Sequence, residues 1–404
     1  MSNLKVVELF AGVGGFRLGL EKSGHKTVWA NQWEPKTKVQ HAFNCYSNNF
    51  PDDNFISSNM DIDKVLMDDI PNHDLLVGGF PCQDYSVATV SSKGLKGKKG
   101  VLWWNIEKII RYKKPSYVLL ENVDRLIKSP KNQKGRDFGV MLSCLHNLGY
   151  CVEWRVIDSS TYGFPQRRKR IFIFAAKEGT DWYNNMMQNY RELDFLHNRG
   201  FFSEEFEVFN PENTLNLIGN IKYIQNTKKI SDKFLYNFEN AGFLYKDAIS
   251  TIQVKPKFLG KSRALKDILI KNVDEKYFIT NSDEINKWEN LRNAKKKIVT
   301  RKDGETFVWS EGKMKFPDSI DLPSRTIVTS SGGKTPSRFK HIIMDPWKNQ
   351  LRILTPEEVE LLSGFPKGWT NNCNMPENWR YFCMGNALVV GLIEKMGKTL
   401  SKSL

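Results

Sequence analysis

Short apolar segments alternate with amphipathic stretches along roughly the first 180 residues of the chain. Apolar runs bounded by turn residues predict buried strands, and apolar residues at helical spacing predict helices. The predicted strands are residues 5–10, 27–31, 74–77, 117–120, 152–157 and 171–175. Helices are predicted at residues 16–23 and 138–148, which are followed by Gly24 and Gly149. This alternation predicts an α/β fold with a doubly wound sheet, covered on both faces because its strands are rich in Val, Ile and Leu.

The periodic pattern weakens at about residue 181 and returns near Leu351. The stretch to residue 322 mixes Asn, Lys and aromatic residues, and it predicts a separate, smaller, irregular domain of loops and strands. Thr355, Pro356 and Glu358 predict the start of a helix with a capping box, and residues 388–400 predict a last helix with one apolar side. We therefore expect three segments, residues 1–180, 181–325 and 326–404, of which the last returns to the first.

The charge of the chain narrows the choice of partner. Among its 404 residues are 60 Lys plus Arg and 45 Asp plus Glu, which leave a formal net charge of +15. Such a surplus favours a polyanion, either nucleic acid or an acidic membrane surface. The basic cluster that runs from Lys295 to Lys297 and on to Arg301 and Lys302 lies among aromatic residues. That combination fits a nucleic-acid surface, but by itself it fits a solvated face equally well.

Several classes of protein are excluded by the same sequence. No apolar run reaches the ~18–20 residues that cross a bilayer, and the first residues lack the pattern of a signal peptide. The six cysteines are scattered and form no CxxC pair, which argues against a disulfide framework or a zinc site. We therefore expect a cytoplasmic protein with no membrane segment and no metal.

Two groups of residues near the N-terminus are candidates for binding a ligand. Phe10, Gly12 and Gly14 lie in FAGVGG, directly after the first strand, where glycines let the backbone approach a ligand at a helix N-terminus. Such a turn serves NAD, FAD, S-adenosylmethionine or packing alone. The second strand ends in a segment that includes Gln32, Trp33 and Glu34, at the position where a polar side chain holds ribose hydroxyls. Trp33 could also stack on an adenine, and the later Asp61 could accept from an adenine amine.

Three further motifs carry groups suited to chemistry. Cys82, in GGFPCQ, follows a buried strand and is expected at the carboxyl edge of the sheet, where a stabilised thiolate acts as a nucleophile. Glu121, in ENV, ends the next strand, where a carboxyl group that is held protonated can donate to a ring nitrogen and an ionised one forms an ordinary ion pair. In QRRKR, strand alternation places Arg168 and Arg170 on one side and Arg167 on the other. Two guanidinium groups there suit phosphate or a base carbonyl.

As a set, these residues resemble the DNA (cytosine-5) methyltransferase family. The motifs FAGVGG, GGFPCQ, ENV, QRRKR, RILTPEE and GNALVV occur in that family's order, within the first ~180 and the last ~80 residues. The resemblance implies a Rossmann-like catalytic domain that binds S-adenosylmethionine over residues 1–180. It implies a target-recognition domain that binds double-stranded DNA over 181–325, and a C-terminal segment over 326–404 that completes the catalytic domain. It also implies that the target cytosine is flipped out of the duplex.

The resemblance assigns roles to individual residues. Cys82 looks like the nucleophile that adds to cytosine C6, Glu121 like the residue that meets N3, and Arg168 and Arg170 like partners of O2 and of the site's anionic groups. The implied cofactor-binding residues are Phe10, Gly12, Gly14, Gln32, Trp33, Glu34, Asp61, Ile62, Pro81, Leu102 and Asn386. The implied DNA-binding residues of a lid over residues 83–100 are Gln83, Ser86, Lys96, Lys98 and Lys99.

The chain departs from the family's usual residues at three positions. Gln32 stands in place of the acid that holds the ribose, so either its amide oxygen or Glu34 must serve. Ala387 replaces a serine and Lys99 an arginine. Because neither Cys82 nor Glu121 is affected, the resemblance still implies an active enzyme.

The biological setting follows from the same resemblance. We expect a bacterial or phage methyltransferase, acting as a monomer, whose cognate restriction endonuclease acts on the same site without binding it directly. The segments NQWEP and GGFPCQDYSVA are similar in sequence to those of methyltransferases paired with GATC-cutting enzymes. The alternatives are a tRNA cytosine-5 methyltransferase, a non-catalytic DNA-binding regulator and an NAD-dependent oxidoreductase. The long central segment favours DNA over tRNA.

Overall fold

The protein is described here from a computed structural model. The described residues are 3–35, 37–51, 56–80, 101–130, 133–189, 195–209, 216–220, 236–300, 304–333 and 335–402. Two compact units are distinguished within the chain. The first unit comprises Met1–Gly163, Arg168–Lys261 and Leu388–Leu404, and the second comprises Phe164–Arg167 and Ser262–Ala387. The functional division at 180/181 and 325/326 stays a prediction.

One half of the main sheet is parallel. Its strands are β1 (Lys5–Leu9), β2 (Lys26–Asn31), β3 (Ile56–Ser58), β4 (Leu75–Gly79) and β5 (Tyr117–Val123). Their order is β3-β2-β1-β4-β5, so the direction in which strands are added reverses at β1. In open α/β sheets, ligands bind beyond the carboxyl ends of the strands at such a reversal. The strands predicted at 5–10, 27–31, 74–77 and 117–120 are confirmed, whereas the short β3 was not predicted.

The other half of the sheet is antiparallel. Its strands are β6 (Tyr150–Asp158), β7 (Lys169–Lys177), β8 (Asn216–Asn220), β9 (Ala241–Tyr245) and β10 (Ala248–Ile252). Strand β7 lies between β5 and β6 and is antiparallel to both, and the sheet continues as β6-β9-β10-β8. The strands predicted at 152–157 and 171–175 are confirmed. Residues after 181 were expected to be irregular and separate, yet β8, β9 and β10 extend the main sheet because their backbone groups pair with its β6 edge.

Helices cover the sheet and build part of the second unit. In the described residues they are α1 (Gly15–Lys22), α2 (His41–Asn49), α3 (Val101–Lys113), α4 (Arg136–Asn147), α5 (Asp181–Asn189), α6 (Ser282–Arg292), α7 (Pro356–Leu362), α8 (Glu377–Asn386) and α9 (Val390–Lys402). Trp29, Trp103 and Trp154 are fully buried in the core between sheet and helices. Burial of large aromatic side chains supplies much of the hydrophobic stabilisation of such a core.

The last helix packs against the first one. A Cβ added to Gly19 of α1 would lie 2.7 Å from Cβ of Ile393 in α9, and one added to Gly397 would collide with Ser23. Only glycine permits this close approach of two helices. The apolar side predicted for the last helix is buried, with Leu392 and Met396 shielded from solvent.

The second unit holds two small antiparallel sheets. Their strands are β11 (Lys295–Thr300) with β12 (Thr306–Glu311), and β13 (Ile342–Met344) with β14 (Leu351–Ile353). The capping box predicted at the start of α7 is confirmed. The Glu358 amide donates to Thr355 Oγ1 over 3.2 Å, and the Thr355 amide donates to Glu358 Oε2 over 2.9 Å.

Candidate active site at the carboxyl edge of the sheet

The loop that joins β1 to α1 has a backbone that depends on glycine. Gly12 and Gly14 lie in the left-handed region at φ 57° and 89°, and Phe10 joins them at φ 54°. A side chain at Gly14 would collide with the ring of Phe50, whereas a Cβ at Gly12 would meet nothing within 4 Å. A non-glycine residue in this region is strained, and such strain clusters at ligand sites. The open space beside Gly12 therefore marks the side from which a ligand can approach the loop.

The segment after β2 supports this loop. Gly12 N–H donates to Gln32 Oε1 over 2.8 Å, so the amide oxygen of Gln32 holds the glycine loop. Glu34 behaves differently, since its Oε2 accepts from the Ala42 amide over 3.0 Å at the start of α2. Burial raises the pKa of Glu34 above its ordinary value. Which of the two meets a ribose stays a prediction.

Other predicted cofactor residues lie around the same edge. Trp33 is 37% exposed and presents an aromatic face. Asp61 accepts from the Asp63 amide over 3.2 Å, and Ile62 beside it is buried. Leu102 is partly buried and packs against the sheet's core. These positions present one exposed aromatic ring, that of Trp33, and one half-buried carboxylate, that of Asp61.

Asn31 was missed by the sequence analysis. Its side-chain amide donates to Met60 O over 2.8 Å and to Ser58 O over 3.2 Å. It thereby fixes the chain that leaves β3, immediately before Asp61. A signal was available, because Asn31 precedes Gln32 at the strand end where ligand residues were sought.

Glu121 and Arg170 form an ion pair at the ends of neighbouring strands. Arg170 Nε lies 2.8 Å from Glu121 Oε1, and both side chains keep a small exposed fraction. In the antiparallel pairing of β5 with β7, Arg170 lies opposite Val123, two residues from Glu121 and therefore on the same face. A Cβ added to Gly79 would lie 3.1 Å from Glu121 Oε2, so glycine leaves space beside this carboxylate.

Arg168 is more deeply placed than Arg170. Its guanidinium is fully buried, and its backbone N–H donates to Ser159 Oγ over 3.2 Å. Burial, reinforced by the nearby Arg170 cation, lowers the pKa of Arg168. Arg167 is exposed, so the side chains of this segment alternate as the strand pattern predicted. The structure thus brings Glu121, Arg168 and Arg170 together at one end of β5 and β7.

Asn122 is a second residue that the sequence analysis missed. Its side-chain amide donates to Phe80 O over 2.9 Å, and its oxygen accepts from the Val123 amide over 2.8 Å. It therefore ties the end of β5 to the residue that follows β4. Its place within ENV was the available signal.

Several predicted site residues cannot be placed in this geometry. Pro81, Cys82, Gln83, Ser86, Lys96, Lys98 and Lys99 lie outside the described residues. Asn386 is the last residue of α8 and belongs to the second unit. Within the described ranges, no cluster of three or more His, Cys, Asp or Glu side chains could hold a metal ion. Over the same ranges, none of the helices has the length and apolar character that crossing a bilayer requires.

A doubly wound sheet with a glycine loop at its reversal point and an acid–arginine pair two strands away is a Rossmann-like α/β fold with a candidate site at its carboxyl edge. Solved structures have the same fold. A DNMT2 mutant from Spodoptera frugiperda matches with a TM-score of 0.61 at 16% identity, covering 99% of this chain and 100% of that chain. The Entamoeba histolytica methyltransferase EhMeth matches with a TM-score of 0.61 at 17% identity, covering 100% and 99%.

The sequence comparisons are more specific. Residues 4–402 match the family described as C-5 cytosine-specific DNA methylase. The chain is 46% identical over 409 residues to the type II methyltransferase M.Sau3AI of Staphylococcus aureus, covering 100% of this chain and 96% of that relative. The chain belongs to the C-5 cytosine-specific DNA methylase family. It is a DNA methyltransferase of the type II kind, in a family that generally uses S-adenosylmethionine.

Proposed function

We propose that this enzyme methylates C5 of a cytosine flipped out of a short, specific duplex sequence, through a temporary covalent bond to Cys82. The observation that carries the proposal is the Glu121–Arg170 pair, 2.8 Å apart at the sheet edge, with Gly79 leaving room beside the carboxylate. Gly79 ends β4, and Cys82 follows it by three residues. Glu121, the proposed partner of the base, thus lies beside Gly79, three residues before the proposed nucleophile Cys82 in the sequence.

The residues at the reversal point suit S-adenosylmethionine. The open space at Gly12 lets the backbone approach a ligand, and the exposed Trp33 ring can stack on an adenine. Phe10, Gly14, Gln32, Glu34, Asp61, Ile62, Pro81, Leu102 and Asn386 complete the proposed cofactor site. When bound, S-adenosylmethionine supplies an electrophilic methyl group.

The side chains of the site activate the base. The Cys82 thiolate adds to C6, and the electron pair of the C5–C6 double bond makes C5 nucleophilic. A proton on the Glu121 carboxyl passes to N3 and offsets the negative charge that develops on the ring, and N3 returns it when the C5–C6 double bond re-forms. Arg168 and Arg170 meet O2 and the anionic groups. After C5 has gained a methyl group, its proton passes to solvent, the C5–C6 double bond re-forms, and the C6–S bond breaks to release Cys82.

Arg170 has a second part in this scheme. Its ion pair with Glu121 fixes the direction of the carboxylate, and positioning of a catalytic group contributes to the rate. Asn122 supports the same edge because its side-chain amide donates to the carbonyl oxygen of Phe80. In the sequence, Phe80 directly precedes Pro81 and Cys82.

The proposal requires the cytosine to leave the base stack, because C6 is inaccessible in a duplex; this costs a few kcal/mol. Gln83, Ser86, Lys96, Lys98 and Lys99 are proposed to close over the DNA. The family assignment favours DNA over the tRNA alternative. We further propose that the enzyme acts as a monomer, and that a cognate endonuclease cuts the same site without binding it directly.

The proposed target is GATC. This proposal is supported by the segments NQWEP and GGFPCQDYSVA, which are similar in sequence to those of methyltransferases paired with GATC-cutting enzymes. Bisulfite sequencing of DNA from cells that express the gene would give the modified cytosine and its flanking bases. Conversion-resistant cytosines spread without a common motif would contradict a specific site.

The covalent step is tested with a duplex that carries 5-fluorocytosine at the mapped position, incubated with S-adenosylmethionine. Fluorine at C5 cannot leave as the proton does, so the enzyme should remain attached to the DNA and migrate as an adduct. Cys82→Ser should give no adduct and no methylation but should still bind DNA. Cys373→Ser, which alters a half-buried cysteine of the second unit, is the control and should form the adduct. Equal adduct yields from both variants would remove Cys82 from the nucleophile's role.

A further inference from the structure

Strands β11 and β12 form a two-stranded ribbon that is exposed on both faces. Six residue pairs face each other, from Lys295 opposite Glu311 to Thr300 opposite Thr306. Ten of these twelve residues are exposed, and only the pair at the base, Lys295 with Glu311, is half-buried. An isolated two-stranded ribbon is at best marginally stable in water, so its exposed positions are normally polar.

This ribbon instead exposes large apolar side chains. Ile298 and Val308 lie directly opposite each other and are 76% and 65% exposed. Val299, Phe307 and Trp309 are also among the exposed apolar residues. Contiguous exposed apolar surface on a soluble protein marks a binding surface.

The two faces of the ribbon differ in composition. Residues directly opposite each other share a face, and successive residues along each strand alternate between faces. One face, here called the Ile298 face, carries Lys296, Ile298, Thr300, Thr306, Val308 and Ser310. All six of its side chains are exposed. The other face carries the bulkier Phe307 and Trp309 with Lys297.

Charge decides the kind of partner. Strand β11 contributes Lys295, Lys296 and Lys297, and the acid of β12, Glu311, is paired with Arg338. In the sequence, the residues between the two strands carry charges of both signs. The three adjacent lysines are complementary to a polyanion such as the phosphate backbone.

The base of the ribbon is anchored. Arg338 is buried, pairs with Glu311 and donates to Gly312 O over 2.7 Å. Just beyond, the Met314 amide donates to Arg292 O over 2.8 Å. An exposed ribbon with a fixed base can present its side chains to a partner in one orientation.

We propose that the Ile298 face enters the major groove of the target duplex, where Ile298 and Val308 pack against thymine methyl groups and Lys296 meets phosphate. The major groove is about 12 Å wide and admits a two-stranded β-ribbon. Six residues at ~3.4 Å each span about 20 Å, which matches roughly six base pairs. Thr300, Thr306 and Ser310 place hydroxyl groups on either side of the apolar pair, suited to base edges. This inference rests on the proposed function and deepens it by naming residues that determine the target site.

The test removes the two partners of the proposed contact separately. The probe is a 24-base-pair duplex with one methylation site mapped by bisulfite sequencing, with each thymine of the site replaced in turn by deoxyuridine, which lacks the C5 methyl group. For the wild type, at least one replacement should weaken binding about fourfold, as burial of one methyl group predicts. Ile298→Ala/Val308→Ala should bind the thymine duplex more weakly, and the same replacement should no longer change its affinity.

Leu322→Ala is the matched control, since it removes another exposed apolar side chain of the second unit. It should keep the wild-type preference for thymine. If the double variant discriminates thymine from deoxyuridine as the wild type does, the inference is overturned. It is also overturned if the double variant changes the oligomeric state on a sizing column, because the face then covers a second copy of the chain.

A second variant keeps the inference testable if the double variant unfolds. Lys296→Ala should reduce the slope of log affinity against log salt by about 1, as loss of one phosphate contact predicts. An unchanged slope would contradict the contact. The proposed function is tested separately, by whether the wild type methylates duplex DNA. Its failure would appear in the wild type itself, whereas failure of this inference would appear only in the affinities of the ribbon variants.

Discussion

Two acid–arginine pairs, one in each unit, both come from motifs that the sequence shows, and they differ in structure. Arg352 and Glu358 come from the RILTPEE motif, and Glu121 and Arg170 come from ENV and QRRKR. Arg352 donates to both carboxylate oxygens of Glu358 over 2.8 Å and to Asp345 over 2.7 Å, with Arg352 and Glu358 fully buried. Arg170 Nε lies 2.8 Å from Glu121 Oε1, and the side chains of Glu121 and Arg170 keep exposures of 11% and 16%.

The two pairs differ in how many hydrogen bonds the carboxylate already accepts and in whether space remains beside it. Glu358 also accepts from the amides of Ile270 and Thr355, both over 2.9 Å, so its oxygens are committed to the scaffold. Beside Glu121, Gly79 leaves space and solvent reaches the pair. A saturated, buried pair holds structure together, whereas an open pair can accept a substrate. The motif alone does not reveal which kind of pair is present.

The largest effect should come from the open pair. Glu121→Gln removes a carboxylate but preserves its size, so the methylation rate in a single turnover should fall by roughly 10²–10⁴, the range for a lost acid or base. Thermal stability should change little because Gln keeps the size of the side chain and the Arg170 side chain keeps some contact with solvent. Glu394→Gln, which alters an i,i+4 pair with Lys398 on α9, is the control and should keep wild-type activity. A near-normal rate for Glu121→Gln would show that the Glu121 carboxylate does not take part in the reaction.

The saturated pair should instead affect stability. Arg352→Met leaves Glu358 and Asp345 buried without their cation, which should cost about 3–5 kcal/mol of unfolding free energy. Denaturant unfolding measures this, with Arg111→Met as the control. Arg111 forms an exposed i,i+4 pair with Glu107, so its loss should cost less than about 1 kcal/mol. The folded Arg352→Met enzyme should still methylate DNA at low temperature, and loss of the reaction without loss of stability would contradict a structural role.

Glu8 extends the comparison to a buried acid that keeps its proton. Its carboxylate accepts from the Tyr46 hydroxyl over 3.0 Å, and burial raises its pKa from 4.5 to about 8. The unfolded chain releases this proton near pH 4.5, whereas the folded chain holds it to about pH 8. The contribution of Glu8 to stability is therefore greatest below pH 4.5 and is lost as the pH rises towards 8.

Glu8→Gln keeps the shape of the protonated acid and removes this pH dependence. The melting temperature of the variant minus that of the wild type should therefore increase by roughly 3 °C or more between pH 5 and pH 8. Glu394→Gln again serves as the control and should show no such trend. A constant difference across this range would mean that Glu8 is already ionised in the folded protein at pH 5.

The residues that could be predicted from sequence are those whose role follows from local pattern. The glycines of FAGVGG, the capping box at Thr355 and the strand ends at Glu121 and Arg170 are of this kind, because spacing along one element determines them. The partners of Asn31 and Asn122 could not be predicted, since each depends on segments that only folding brings together. The pairing of β8, β9 and β10 with the main sheet was missed for the same reason.

Gln32 provides the finest test of the distinction between open and committed groups. Its oxygen already accepts from Gly12 N–H over 2.8 Å, so we expect it to act on the cofactor through the shape of the glycine loop. Gln32→Ala removes one hydrogen bond worth about 0.5–1.5 kcal/mol, which should raise KM for S-adenosylmethionine about two- to tenfold without changing kcat. Gln32→Glu restores an acceptor and should recover much of the loss. Glu34→Ala removes the carboxylate that accepts from the Ala42 amide at the start of α2. It should therefore lower the melting temperature and leave this KM nearly unchanged. The opposite pattern, with KM sensitive to Glu34 and indifferent to Gln32, would identify Glu34 as the open group that meets the ribose.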